Sequence, residues 1–421
     1  MLERRNPIPI GEAVKKIMEI QLRGATEYIS INDSYGRFLS EDLIATSDVP
    51  HFDRAPYDGF AVRSIDTSQA SQSNPLEFEV VDHIGAGMVS TKVVGQNQAV
   101  RIMTGAMMPE GTDAVVMFEL AKDYEKNGIP YMSIKRPFKK GDNVSFIGED
   151  ARQGEALVKK GTLINPGIQA MLATFGYHNV PVAKKPLVGL FATGTELLEV
   201  YEDLVPGKIR NSNSHMICAQ IERAGGIVHY FGKLPDEFDT CFDAVKDALN
   251  KVDVLITTGG VSVGDFDYLP AIYEKLGAEV LFNKVAMRPG SVTTVARYKE
   301  KILFGLSGNP SACYVGFELF ARPILRRMLF SEKPHLRKEL AVLEVDFPKA
   351  NPFTRFVRSS TFIEAGRLKS TPSGLDKSNI IMSLAGANSL MILPGGTRGF
   401  TAGCEVEVLL LEDQSGSEWP W

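Results

Sequence analysis

Long apolar runs are missing from this chain. None approaches the roughly 18 consecutive apolar residues that a membrane-spanning helix needs, so no such span is expected. The N-terminal stretch MLERRNPIPIGEAVKKI lacks the apolar core of a secretion signal, and a cytoplasmic location is the expectation. Cysteine is scarce: Cys218, Cys241, Cys313 and Cys404 are scattered without a C-x-x-C pair, and the six histidines are not at metal-ligand spacing. Zinc chemistry therefore has no footing in the sequence, and the thiols read as packing groups. Positive charge is also short. A net charge of −5 and a pI near 5.8 argue against a surface that coats nucleic acid. Any anionic ligand must be met by local positive groups rather than by the field of the whole protein.

What remains is an ordinary globular composition, 44% hydrophobic and 23% charged, over 421 residues. That length exceeds a single core and predicts two to four domains. Val14, Ile17, Met18 and Leu22 recur at helical spacing within Gly11 to Arg23. From about residue 27 to 185 the texture is short β-like runs, such as Leu76 to Val81, Gln98 to Met103, Ala114 to Met117 and Tyr131 to Ile134. Their Gly and Pro spacing predicts a β-rich region with one module inserted into another.

From Pro186 the pattern alternates between strand and helix. Leu187 to Phe191, Ile227 to Phe231 and Val254 to Thr258 read as strands, and Ser212 to Ala224 as a helix ended by Gly225-Gly226. Asp236 is placed as the N-cap of a helix carrying Phe238, Cys241, Phe242, Val245 and Leu249, and another helix is expected near Tyr268 to Leu276. Val292 to Arg297 and Ile302 to Leu306 read as a hairpin, and Pro310 to Leu329 as one long helix. This alternation predicts a doubly wound α/β sheet. Beyond Pro334, strands are expected at Glu339 to Val345, Phe356 to Ile363, Ser389 to Leu393 and Glu405 to Leu411. The expected boundaries are 1–47 with 145–185, 48–144, 186–330 and 335–412.

In open α/β sheets the ligand sits at the carboxyl ends of the strands. Three such ends carry informative residues: Thr193-Gly194-Thr195-Glu196, Thr258-Gly259-Gly260 and the GLSGNP run of Gly305 to Pro310. Glycines there let backbone N–H groups approach a ligand. Glu196, Asp236, Asp265 and Asp267 could offer oxygens to Mg2+, which takes few carboxylates and keeps its waters. Asp236 and Asp265 are equally well explained as helix caps. Lys284, Arg288 and Arg358 are candidate anion partners, set against the plain alternative of solvated surface charges. The dense stretch His51 to Arg63, with Asp58 before Gly59, is at home in a turn, and spacing alone does not make it a site.

Read together, these segments resemble the molybdopterin molybdenumtransferase family, bacterial MoeA and the E domain of gephyrin. The stretches that carry the resemblance are FDRAPYDGFAVR, RIMTGAMMPEGTDAVVMFE, the GED of Gly148 to Asp150, TGTEL, ITTGGVSVGDFD, MRPGS, GLSGNPSACYVGFELFARP and GANSLMILP, in family order. The resemblance implies β-rich N-terminal modules, a central α/β molybdopterin-binding domain, a C-terminal β-barrel and a homodimer. It implies insertion of molybdate into adenylated molybdopterin with Mg2+ and release of AMP. The molybdopterin adenylyltransferase and molybdoenzyme acceptors are the implied partners. Carried over by position, Asp58, Thr104, Asp150, Glu196 and Asp236 take catalytic roles, the first three in the family from the partner subunit. Gly259, Gly260, Ser262, Gly264, Asp267, Lys284, Arg288, Gly308, Asn309, Pro310, Arg358 and Ser378 contact substrate. Glu196, Asp236 and Asp267 hold the metal.

Some positions depart from the family pattern. Thr195 stands where Asp is frequent, Arg288 and Ser291 where lysines are common, Val292 and Ser307 where proline is, and Lys377-Ser378-Asn379 where Gly-Ser-His is frequent. Arg288 keeps its charge, though Arg and Lys meet an oxyanion differently. The other changes remove charge or stiffness near the implied molybdate pocket. Two further readings compete: an enzyme that adenylates molybdopterin or hydrolyses a nucleotide on the same α/β fold, and a non-catalytic scaffold that retains it. The flanking β regions argue against the first, and the intact Asp58, Glu196, Asp236 and Asp267 against the second.

Overall fold

The computed structural model describes residues 6–22, 24–235, 237–260, 268–413 and 416–420. Ser262, Gly264, Asp265 and Asp267 from the strand-end motif lie outside the described residues, as does Asp236. The chain forms two compact units, one of Met1–Glu41, Lys160–Ala170 and His178–Trp421, the other of Asp42–Lys159 and Met171–Tyr177.

The larger unit is organised by a six-stranded sheet in the order Ile227–Lys233, Leu187–Ala192, Val254–Thr258, Lys301–Leu306, Thr294–Tyr298, Glu279–Phe282. The first four strands run parallel, Thr294–Tyr298 runs against them, and Glu279–Phe282 pairs antiparallel to Thr294–Tyr298 and so shares the direction of the first four. Side chains alternate across its two faces. Val254 and Ile256 join Val14, Ile17, Ile217, Ile221 and Phe320 in one buried cluster. Leu255 and Leu303 join Val245, Leu249, Ile272 and Tyr273 in another. Helices on both faces of a mainly parallel sheet explain why its central strands read as unbroken apolar runs.

The doubly wound α/β expectation is met, and the predicted hairpin is the Thr294–Tyr298 and Lys301–Leu306 pair. Two local expectations are corrected. The helix Phe238–Leu249 is capped by Glu237, whose carboxylate accepts the Thr240 N–H at 3.0 Å. The expected single helix from Pro310 is Pro310–Gly316, a π-helical segment Phe317–Ala321 and Arg322–Met328. Pro323 has no N–H to donate back along the helix and its ring crowds the preceding turn, so a widened turn just before it is physically reasonable.

C-terminal to this sheet, Thr354–Glu364, Arg367–Pro372, Arg337–Leu343, Glu405–Leu410 and Ser389–Leu393 pair in that order. The last pairs back to the first, closing a five-stranded barrel. Its interior is filled by Ala341, Leu343, Phe347, Val357, Met391, Val406 and Val408. The short strand Met287–Arg288 pairs with Thr354 and Arg355 and so ties the α/β region to the barrel.

The smaller unit is built on a six-stranded sheet, Ala114–Met117, Gly59–Val62, Gln98–Ile102, Leu76–Ile84, Ile129–Ile134, Ala121–Lys126. Phe60 and Val62 pack on one face and Ala61 on the other, the period-two pattern of a strand covered on both sides. Among the described residues no helix is long and apolar enough to cross a membrane.

Candidate functional site

Three neighbouring parallel strands of the α/β sheet end level with one another: Ala192 pairs with Thr258, and Thr258 with Leu306. Their loops therefore start side by side. The Thr193 N–H donates to the Thr258 carbonyl at 3.0 Å, and the Gly259 N–H to the Leu306 carbonyl at 2.9 Å. This alters the role expected for Gly259. Its N–H is committed to the sheet end, and what the site needs is its missing side chain. A Cβ there would lie 2.6 Å from the Thr193 hydroxyl and 2.8 Å from the Thr193 carbonyl, at a φ of +85°. Only glycine meets both conditions without strain.

Above these ends lies a cleft of about 690 Å3, walled by Thr193 to Glu196, Leu234, Pro235, Gly259, Gly260, Tyr268, Gly308 and Asn309. Its volume falls in the range of small-molecule sites. Glu196 folds its carboxylate back over Gly194, where an added Cβ would lie 2.4 Å from a carboxylate oxygen. The loop holding Glu196 is pinned from below. Its carbonyl accepts the Ile209 N–H at 2.9 Å, and Lys208 Nζ donates to the Thr195 carbonyl at 2.5 Å. On the far wall, Asn213 Nδ2 donates to the Gly308 carbonyl at 2.8 Å. The Ser307 hydroxyl accepts the Asn309 N–H at 3.2 Å, which fixes the turn into the helix that begins at Pro310.

The Ser307 to Asn309 loop separates this cleft from a second one of about 500 Å3. Val292, Ser307 and Asn309 face both. The second cleft has a different chemistry: Arg288, Ser291, Arg355, Lys377 and Ser378 line it, with Asp376 beneath. Asp376 is a buried hub. It accepts from Arg355 Nη1 at 2.7 Å and Arg358 Nη1 at 2.9 Å, while Lys349 Nζ donates to its carbonyl at 2.7 Å. Three cations around one carboxylate, with Arg288 and Lys377 added, leave the cleft electropositive within an acidic chain. That is the local positive charge an anionic ligand requires.

Arg358 is 2% exposed, and its guanidinium also donates to Ser383 Oγ and to the carbonyls of Leu375 and Lys377. Burial is the first cause that pulls its ionisation down, and Asp376 opposes it. The side chain thus fastens the Leu375 to Lys377 segment, and its donors are turned to the protein. Ser311 completes the clamp, donating its N–H to the Ser378 carbonyl at 3.0 Å and its hydroxyl to the Ile380 carbonyl at 2.5 Å.

In the smaller unit, Thr104 donates to Asp58 through both its backbone N–H and its hydroxyl. These bonds, the backbone one foremost, hold the Asp58 carboxyl below its ordinary range, with Arg101 adding a weaker pull. Asp150 lies in the same unit, where its N–H donates to the Val49 carbonyl at 2.9 Å.

The structure therefore gathers Glu196, Gly259, Gly260, Gly308 and Asn309 at one cleft, and Arg288, Asn309 and Ser378 at the next. Pro310 opens the helix between them. Lys284 is half-buried, its carbonyl accepting the Ile8 N–H at 3.1 Å, and it is not on the wall of either cleft. Sequence reasoning missed Arg355, Asp376 and Asn213, whose partners are remote in sequence and follow no periodic signal. Among the described residues no three His, Cys, Asp or Glu side chains form a metal-holding cluster. Mg2+ asks for less, often one or two carboxylates with water and substrate phosphate. Glu196 at the cleft wall fits that limited donor set.

Three family models match the chain in order: the MoeA N-terminal region (domain I and II) over residues 8–176, a probable molybdopterin binding domain over 189–327, and the MoeA C-terminal region (domain IV) over 341–411. The chain is 61% identical to a molybdopterin molybdenumtransferase of Bacillus subtilis, covering 100% of this chain and 98% of the relative. It is 50% identical to one of Staphylococcus aureus, covering 99% of each. A crystal structure of a molybdopterin biosynthesis MoeA protein from Pyrococcus horikoshii matches with a TM-score of 0.82 at 30% identity, over 96% of this chain and 100% of that one.

Proposed function

The chain belongs to the molybdopterin molybdenumtransferase family, and from that membership we propose that it inserts molybdate into adenylated molybdopterin, with Mg2+-dependent release of AMP, in molybdenum cofactor biosynthesis. The observation that carries this reading is the pair of contiguous clefts sharing Val292, Ser307 and Asn309. The larger has the volume and glycine-lined floor for an adenylated pterin, and the smaller has the cationic wall for an oxyanion. A reaction between two anions needs them in adjoining sites with repulsion offset by protein charge.

Each group of residues then has a task. The Thr193, Gly259 and Gly308 backbones form a floor that a Cβ at Gly259 would obstruct, and Glu196 stands at its edge. Arg288 and Lys377 meet the oxyanion, while Arg355 and Arg358 act through Asp376 to hold the Lys377 and Ser378 segment in place. Glu196 would hold Mg2+, together with Asp236 and Asp267, which lie outside the described residues. When bound, the ion supplies charge neutralisation at the phosphate-bearing substrate. Asp58, Thr104 and Asp150 complete the proposed catalytic set on the family resemblance. Asp58 is kept ionised by Thr104 and so suited to orient water or meet a cation. A homodimer, a cytoplasmic setting and exchange of substrate and product with an adenylyltransferase and molybdoenzymes belong to the same proposal, as does the four-part division of the chain.

The test is a discontinuous assay with adenylated molybdopterin and Mg2+, with and without molybdate. Release of AMP that depends on molybdate is expected. Tight binding of the adenylated pterin with no such release would favour a scaffold role instead.

A further inference from the structure

The opposite edge of the α/β sheet carries a cavity that the proposed reaction does not use. Lys185 stands just before the strand Leu187–Ala192, and Glu222 to Gly225 end the helix that leads into Ile227–Lys233, so this edge bears the amino ends of the strands. The cavity measures about 260 Å3. Arg37, Lys185, Arg223 and Arg326 line it, and Glu222 is the acid among its lining residues.

The four cations differ in their partners. Arg37 is shared between Glu27 and the Ala183 carbonyl. Arg223 meets Glu318 at 2.5 Å and the Tyr314 hydroxyl at 3.1 Å. Glu318, 1% exposed, is also the partner of Arg322 at 3.8 Å. Arg326 is 2% exposed, stacks over the Phe38 ring at 4.8 Å, and reaches the Arg223 carbonyl at 3.5 Å. Lys185 is half-buried and has no hydrogen bond or ion pair among the described residues. Glu318 is thus shared between Arg223 and Arg322, while Lys185 has no acid of its own among the described residues. Arg326 is pulled down to about 9, first by burial and then by Arg322 and Arg223. Four cations and one acid at one cavity repel among themselves, and an anion bound between them offsets that repulsion. The helix end beside the cavity opposes an anion with roughly half an elementary charge, a smaller quantity than the cations on its wall.

We propose that this cavity is a binding site for a phosphate-type oxyanion, held by Arg37, Lys185, Arg223 and Arg326 and independent of the clefts at the carboxyl ends of the strands. Guanidinium forks suit the tetrahedral oxygens. The volume admits inorganic phosphate or a small phosphate ester and falls short of the 300 Å3 or so at which drug-sized ligand sites begin. The bound anion would link the segments of Arg37 and Lys185 to the helices of Arg223 and Arg326.

The experiment is calorimetric titration of the full chain at constant ionic strength with inorganic phosphate, methyl phosphate and AMP. In an Arg288→Ala background, which weakens the other oxyanion wall, saturable phosphate binding is expected, weakened at least tenfold by Lys185→Ala and restored by Lys185→Arg. Lys185 has no partner to lose, so Lys185→Ala should melt like the parent without phosphate, separating a lost ligand from a lost fold. Methyl phosphate that binds as tightly as phosphate would identify the occupant as an ester, and much weaker binding as the free ion. AMP is expected to be excluded from this site. Absence of saturable phosphate binding in Arg288→Ala, or binding there that Lys185→Ala leaves intact, overturns the proposal.

Discussion

Thr104 directs its backbone N–H and its hydroxyl at the same carboxylate oxygen of Asp58, at 2.7 and 2.8 Å. Both bonds favour the charged carboxylate, and the Asp58 carboxyl accordingly sits below its ordinary range. Thr104→Val removes one bond and keeps the other. The carboxyl should then titrate higher than in the parent and still below an unperturbed aspartate, as a carbon-13 titration would read. On the proposed assignment Asp58→Asn lowers turnover by about 100-fold, the lower end for loss of one preorganised electrostatic group. An Asp58→Asn enzyme with parental turnover would remove Asp58 from the chemistry.

Gly259 and Gly308 share one cleft and should respond differently to the same change. Alanine at Gly259 meets Thr193 at 2.6 Å in a left-handed conformation, whereas at Gly308 its nearest neighbour is the Gly259 Cα at 3.6 Å. Gly259→Ala is expected to cost about 1–3 kcal/mol and to impair binding of the adenylated pterin. Gly308→Ala should stay within about 1 kcal/mol. Urea unfolding of both variants checks the contrast, and equal losses would contradict it.

His335 predicts a pH dependence of stability. Its Nε2 is buried without a hydrogen-bond partner among the described residues. Burial first, then Arg322 and Arg327, push its ionisation down to about 4 from 6.5. A depressed value means that the unfolded chain binds the proton more readily. The contribution is therefore complete above about pH 6.5 and is lost as pH falls through 4, by about 3 kcal/mol in all. His335→Phe should flatten the unfolding free energy across that window, and an unchanged slope would show that other groups set it.

Much of this was legible in the sequence where local signals agree. The Val254–Thr258 strand and the Ser212–Ala224 helix fall at the expected bounds, because a β-branched run and a capped, periodic segment each have few alternatives. Legibility failed where one residue shifts a boundary or where contacts are remote. Glu237 rather than Asp236 caps its helix, since adjacent acids look alike until the chain's direction is known. Arg355 and Arg358 meet Asp376 across a barrel loop, a convergence that no spacing encodes. Arg358 looked like an anion contact and is buried beneath the segment it holds. The glycine pair reads from the sequence as a ligand-facing turn, and what the structure shows for it is close approach to Thr193.

On the proposed function the two contiguous clefts divide the substrates between them. Equilibrium binding of adenylated molybdopterin and of molybdate to Arg288→Ala and Glu196→Gln tests it most directly. Arg288→Ala should weaken molybdate at least tenfold, about 1.4 kcal/mol, and leave the pterin nearly unchanged, while Glu196→Gln should do the reverse in the presence of Mg2+. Parallel loss of both ligands in each variant, or no loss of molybdate in Arg288→Ala, would contradict it.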